Sequence, residues 1–349
     1  MEQYNNYINS VWRQSRSQRT FTNISPANKN DIIGEFPVSN SDDLEEAVTA
    51  SKFAYDKWKR MPAPKRGDIL RKAGDIFAER KNELAKIMTR EMGKPVFETK
   101  GDIQEAIDTC YYAATETRRL FGHNAPSEMP DKMNLSFRVP VGICGIITAW
   151  NFPIAVPSWK IIPALAAGNV VIFKPSEDSP LSANIFAEIM EQAGLPKGVF
   201  NVLHGAAEIG DAIVNHPDIN LIGFTGSTET GKKIAATCGK LNKKAFIAFF
   251  EDEIVFKIGK EQGFIFLTTL IITISIGLIE GIVAGIIATS IVHLFVNKSI
   301  APFFRNILKP NVLMFKESDT DNYYVSVKNF CTFLNYTKLK RKLDAIPET

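Results

Sequence analysis

The chemistry-bearing residues begin with "NLIGFTGSTETGKKIA" at 220–235. Gly226, Gly231 and Lys232 meet the spacing G-x-x-x-x-G-K of a phosphate-binding loop, but Lys233 stands where Ser or Thr should hold Mg²⁺. The flanks indicate what the stretch can do. Leu221 to Phe224 is an apolar run that reads as a buried parallel strand, and a helix is predicted to start at Ser227. A strand, a glycine turn and a helix N-terminus make an anion site, because unpaired backbone N–H groups and the helix dipole face the ligand. Other polar groups sit at the ends of apolar runs: "TAWNFP" (148–153), "KPSE" (174–177) and "HGAAEIG" (204–210).

These groups need a frame. Leu44, Val48, Tyr55 and Trp58 recur at helical spacing before Pro62 and Pro64. Residues 65–91 form a second amphipathic helix, with Ile69, Phe77, Leu84 and Ile87 on one stripe, ending near Gly93 and Pro95. A third covers roughly 98–121. Strand-like runs follow at 142–150, 169–174, 199–205 and 221–226, separated by helical segments at 155–167, 180–193 and 206–215. Such alternation predicts an α/β fold with a parallel sheet covered on both faces. Ligands of such sheets bind outside the carboxyl ends of the strands, where the four polar stretches lie.

In order and spacing, "FRVPVGICGIITAWNFP", "PALAAGNVVIFKPSEDSPLSA" and "GFTGSTETG", with "EMGKP" upstream, resemble the cofactor domain of the NAD(P)-dependent aldehyde dehydrogenases. The likeness runs from about Phe36 to Lys244. It implies a Rossmann-like parallel sheet with flanking helices, whose glycine turn faces a dinucleotide pyrophosphate and needs no Mg²⁺ ligand. Lys233 is then a solvated helix residue. The resemblance implies that Lys174 and Glu177 bind the adenosine ribose, with Ser176 beside them and Gly205 at the neighbouring strand end. A carboxylate there repels a 2′-phosphate, so NAD is favoured over NADP. Gly226 and Ser227 meet the pyrophosphate, Ser227 also serving as a helix N-cap. Trp150 either contacts the cofactor or fills the core. Asn151 matches the family's oxyanion-hole asparagine, whose side-chain N–H stabilises the charge that develops during aldehyde oxidation.

That chemistry also needs a cysteine thiolate and a glutamate. The family carries the glutamate in a Leu-Glu-(Leu/Met)-Gly-Gly stretch; after "CGKLNKK" this chain reads "AFIAFFEDEIVFKIG". Glu251 and Glu253 lack the following Gly-Gly, and no cysteine occurs between Cys238 and Cys331. The expectation is an NAD-binding chain without the nucleophile and base, catalytically inactive.

Beyond the break the composition changes. "GFIFLTTLIITISIGLIEGIVAGIIATSIVHLFV" (263–296) has only Glu280 and His293 as titratable groups in 34 residues, which is membrane composition. Gly277 and Gly281 suggest a two-helix hairpin; a buried pair of soluble helices is the other reading. With "NYYVSVKNFCTFLNYTKLKRKLDAIPE" downstream, about 251–349 resembles the end of a SulP-type anion transporter and the start of its STAS domain, a short α+β segment. The expected division is a mobile arm (1–35), a cytoplasmic NAD-binding domain (36–245), a junction and transmembrane hairpin (246–298) and a partial STAS-like segment (299–349). The alternative function is a membrane-anchored transporter fragment.

Composition narrows the partners. With 41 basic and 38 acidic residues, net charge is +3, which gives no basis for a nucleic-acid partner. Four scattered cysteines and four histidines predict neither a disulfide framework nor a metal site. The implied partners are NAD and a small aldehyde.

Overall fold

The computed structural model describes residues 2–250, 268, 272, 283–288, 311–316 and 323–328. The chain divides into two units, Met1–Glu251 and Asp252–Thr349.

The first unit opens with β1 (Asn6–Ile8), β2 (Val11–Arg13), β3 (Thr20–Ile24) and β4 (Ile32–Pro37). Three helices follow: α1 (Ser41–Trp58), α2 (Ala63–Met92) and α3 (Val96–Glu116). A small hairpin, β5 (Asn124–Pro126) and β6 (Met133–Leu135), leads into the alternating part. That part runs β7 (Ile143–Ile147), α4 (Ala155–Ala166), β8 (Val170–Lys174), α5 (Pro180–Gln192), β9 (Phe200–Val202), α6 (Ala207–Asn215), β10 (Ile219–Ser227), α7 (Thr228–Lys240) and β11 (Lys244–Phe250).

The sequence explains the boundaries. Asn40 starts α1 with a capping box, accepting from the Asp42 and Asp43 N–H groups while the Asp43 side chain answers its own N–H. α2 ends where Gly93 takes φ +78°, a left-handed value that glycine adopts freely. α3 begins directly after Pro95, two residues earlier than the spacing predicts, and ends before 121.

The main sheet has the order β11-β10-β7-β8-β9-β1-β2. β7 pairs in parallel with β8 and with β10, β8 with β9, and β10 with β11. The chain therefore steps outward from β7 in one direction through β8 and β9, then returns to add β10 and β11 on the other side. This is the doubly wound order, and its switch point lies between β7 and β10. All five residues of β7 and all five of β8 are buried. Phe77, Phe186 and Phe200 form a chain of ring contacts beneath them, with Phe173 stacked on Phe200.

The N-terminal residues are not a mobile arm. β1 pairs antiparallel with β9 and β2, and β3 with β4. Tyr7 and Ile8 enter the core, and the buried Asn6 Oδ1 accepts from the His204 N–H and the Ser39 hydroxyl. The polar composition that reads as solvated is partly internal hydrogen bonding. The first unit thus includes residues that the expected division set apart as an arm.

In the second unit, residues 283–288 are helical, and β12 (Asn311–Lys316) pairs antiparallel with β13 (Tyr323–Lys328). The expected hairpin at 263–296 and the SulP–STAS likeness lie mostly outside the described residues. Among the described residues no helix is long and apolar enough to cross a membrane.

Candidate functional site

The carboxyl ends of β7, β8 and β10 bring the sequence-predicted residues to one edge of the sheet, around the switch point. β10 runs through Gly226 to Ser227, and α7 starts at Thr228. Ser227 is the N-cap, its hydroxyl accepting from the Thr230 N–H at 3.3 Å and donating to Thr230 Oγ1 at 3.0 Å. A Cβ on Gly226 would lie 2.6 Å from the Phe224 ring, so a larger residue would disturb the strand end. Lys233 pairs with Glu229 at 2.7 Å on the exposed face of α7. Its position fits the solvated helix residue, not a missing metal ligand.

Lys174 closes β8 and is only 8 % exposed. Burial lowers the pKa of its amine, and Glu177 and Asp178 oppose that shift. Ser176 accepts from the Asp178 N–H at 3.4 Å, which sets the turn that follows Lys174. Glu177 is exposed; its main-chain carbonyl accepts from Asn23 Nδ2 at 3.4 Å. Gly205 follows β9 with φ +133°, where a side chain would strain the backbone. Next to it, His204 is wholly buried, and its imidazole pKa falls to about 3 through burial and then through the Lys174 charge.

Trp150 lies beyond the end of β7 and is 49 % exposed, so it is not a core residue. With Glu177, Asp178, Asn23, Glu91 and Met92 it lines a cavity of about 570 Å³. Asn151 follows. Its Oδ1 is buried without a hydrogen-bond partner, and so is Thr225 Oγ1 at the end of β10. Two buried, unpaired polar atoms on neighbouring strand ends suit a ligand that supplies their hydrogen bonds.

The structure adds residues that sequence reasoning missed. Thr225 lies inside the glycine stretch, where its residue type alone does not set it apart from a strand residue. Asn23 reaches the cavity from β3, and nothing local in sequence marks that. Lys94 lies in "EMGKP"; its Nζ donates to the Asn151 main-chain carbonyl at 2.6 Å and sits 3.4 Å over the Phe152 ring.

The described cysteines are poor nucleophiles. Cys110, Cys144 and Cys238 are buried. Burial pushes the first two thiols up to about 12 and raises the third, whereas attack needs a thiolate. No cluster of potential metal ligands occurs among the described residues.

Residues 12–249 match the Aldehyde dehydrogenase family. An alpha-ketoglutarate semialdehyde dehydrogenase of Haloferax volcanii is 38% identical over 230 residues, covering 66% of this chain and 48% of that protein. The malonate-semialdehyde dehydrogenase 1 of Geobacillus thermodenitrificans is 39% identical over 238 residues, covering 67% and 49% respectively. The chain spans about half the length of the curated relatives it matches. Among solved structures, an NAD-dependent aldehyde dehydrogenase from Sinorhizobium meliloti superposes with a TM-score of 0.69 at 32% identity, covering 71% of this chain and 50% of its own. An NADP-dependent enzyme of E. coli gives 0.69 at 35%, covering 71% and 51%. A betaine aldehyde dehydrogenase from Staphylococcus aureus in complex with NAD⁺ gives 0.68 at 32%, covering 70% and 50%.

Proposed function

This chain belongs to the aldehyde dehydrogenase family, and we propose that it binds NAD at the carboxyl ends of β7, β8 and β10 without completing aldehyde oxidation itself. One observation supports the reading: Lys174 ends β8 and Gly226–Ser227 end β10, the two strands that flank β7 in the doubly wound order, so these residues lie on the same carboxyl edge. The unpaired Asn151 and Thr225 oxygens beside them fit a polar ligand. When bound, the dinucleotide supplies the hydride acceptor of the family reaction.

The chain's own residues bind and orient. Glu177, exposed past Lys174, accepts hydrogen bonds from ribose hydroxyls and repels a 2′-phosphate, so NAD binds more tightly than NADP. Lys174 supplies positive charge at the same end. Ser227 and the first N–H groups of α7 face the pyrophosphate. Asn151 holds the place where an oxyanion would be stabilised. What the family reaction needs next is a thiolate. Cys110, Cys144 and Cys238 are buried and protonated at neutral pH, and Cys331 lies outside the described residues. After residue 249, where the family match ends, no Leu-Glu-(Leu/Met)-Gly-Gly stretch follows. Loss of a nucleophile removes several orders of magnitude of rate even in an otherwise intact site.

The test is calorimetric titration of the full chain with NAD⁺ and NADP⁺. Heat saturating at or below millimolar NAD⁺ is expected, with weaker binding of NADP⁺. Glu177→Ala weakens NAD⁺ and narrows the gap between the two. A folded protein that gives no heat sinks the reading. Separately, NADH formation with aliphatic, aromatic and semialdehyde substrates should be absent; turnover abolished by changing one cysteine to serine would reverse the inactive assignment.

A further inference from the structure

α4 and α5 start directly after the loops that end β7 and β8, yet neither helix is capped by its own N-cap residue. Ile154 and Ser179 make no side-chain capping bond. Their open N–H groups are met from one place, the corner between α2 and α3. Glu91, in the last turn of α2, is 1 % exposed. One carboxylate oxygen accepts from the Leu181 N–H at 2.6 Å; the other accepts from the Ser182 N–H at 3.0 Å and the Ser182 hydroxyl at 2.5 Å. Asp102, in α3, is 2 % exposed and accepts from the Ala155 N–H at 2.7 Å. Between them, Gly93 turns the chain at φ +78° and Lys94 reaches the Asn151 carbonyl.

These contacts share a logic. A helix N-terminus attracts negative charge, and in doubly wound folds the first such terminus commonly receives the ligand's phosphate. Here protein carboxylates occupy the starts of α4 and α5. Lys94 holds the main chain of the residue whose side chain must be aimed into the site. A methionine would fill much the same space without desolvating an amine, so packing alone does not account for a lysine there.

We propose that Glu91, Lys94 and Asp102 are positioning residues: from the end of α2 and the first turns of α3 they fix the Trp150–Asn151 and Lys174–Glu177 loops in the geometry that binds the dinucleotide. The proposal rests on the dinucleotide reading above. Lys94 gives the clearest handle, because its amine donates to the Asn151 carbonyl and lies over the Phe152 ring, while its charge also faces Asp102 and Glu98.

The experiment uses the full chain, Lys94→Met and Lys94→Arg, each also in a Trp150→Phe background. Two quantities are read: NAD⁺ affinity by calorimetry and iodide quenching of tryptophan fluorescence. Lys94→Met is expected to weaken NAD⁺ about tenfold, the scale of one charge-assisted hydrogen bond, and to increase quenching. The increase vanishes in the Trp150→Phe background, which assigns it to the loop. Lys94→Arg restores most of both, because guanidinium also donates to a carbonyl and stacks on an aromatic ring. A Lys94→Met protein that melts earlier, but whose folded form keeps wild-type affinity and quenching, overturns the proposal. If the wild type binds no NAD⁺, the dinucleotide reading fails and quenching alone decides: a Trp150-dependent increase supports positioning, and none overturns it. Should Lys94→Met not fold, Lys94→Gln takes its place with the same readings.

Discussion

β8 and β11 belong to the parallel part of one sheet, yet they live in different surroundings. Every residue of β8 is buried, and α1 and α4 pack against the strand. On β11, Lys244, Ala245, Phe246 and Ala248 are exposed, although the strand pairs with β10 over its full length. β8 is also paired on both sides, with β7 and β9, whereas β11 is an edge strand paired only with β10, so pairing and side-chain cover fall off together. The comparison teaches that the β7–β8 side of the proposed site is covered throughout, whereas on the other side β10 is buried from Ile222 to Gly226 and the open face begins at β11. Binding at the adenosine end should accordingly be preformed.

The largest effect expected from this contrast is at Phe173. Its ring is fully buried between α-helical layers and stacks on Phe200 with centroids 6.3 Å apart. Phe173→Ala should destabilise the first unit by about 3–5 kcal/mol, the range for an aromatic ring removed from a core that only partly collapses. Urea denaturation followed by far-ultraviolet circular dichroism measures it. A loss below about 1 kcal/mol would mean that β8 is not the rigid side.

Next comes the pH response of the support itself. Burial pushes the Glu91 carboxyl from 4.5 up to about 7, against the pull of the Ser182 and Leu181 bonds. The folded state therefore holds this proton where the unfolded state releases it. The stabilising contribution is complete below the unfolded pKa and is lost as pH rises through the folded one. Across that window the group should lower stability by at most about 3 kcal/mol. Glu91→Gln removes the titration, so the difference between wild type and variant in urea midpoint should change between about pH 4.5 and 7.5. A constant difference would show that Glu91 is ionised throughout.

Much of this arrangement was legible in sequence. The alternation of apolar runs with amphipathic stretches gave the parallel sheet, and four strand ends were marked by the residues found there: Asn151, Lys174, Gly205 and Gly226. The N-terminal strands were not legible. β1 is three residues long and joins β9 from about 190 positions away in sequence; its asparagine looks solvated until its partners are known. The external caps were hidden for the same reason. A capping box such as Asn40–Asp43 lies within four residues, whereas Glu91 meets Leu181 and Ser182 across ninety. Only tertiary contact tells that Glu91 and Asp102 differ from other helix-face acids.

A smaller effect tests the local order of the β10 side. Ser227→Ala removes the α7 cap and should destabilise by about 1 kcal/mol, while Ser227→Gly should lose only a few tenths. Both should weaken NAD⁺ binding if the same N–H groups serve the phosphate. Equal stability of Ser227→Ala and wild type would show that the start of α7 is held by something other than its cap.

The smallest expected effect belongs to Phe246, and it bears most directly on the contrast. Its ring is 62 % exposed, so Phe246→Ala removes little apolar area from a dry environment. The ring does have one described neighbour: the Lys160 amine lies 5.6 Å from its centroid. A cation–π contact at an exposed site contributes about 0.5–1 kcal/mol. Lys160 is itself 8 % exposed, and burial lowers its amine to about 8. The same side chain thus has an apolar stem in the core and an ammonium beside an open ring. Loss of that ring opens the amine to water, which offsets part of the lost attraction. The net change for Phe246→Ala should stay below about 0.5 kcal/mol, the range of surface substitutions. The equivalent change at Phe173 should be several times larger under identical urea conditions. A loss above about 2 kcal/mol at Phe246 would require a cover over β11 in solution, and the two sides of the site would then be equally well built.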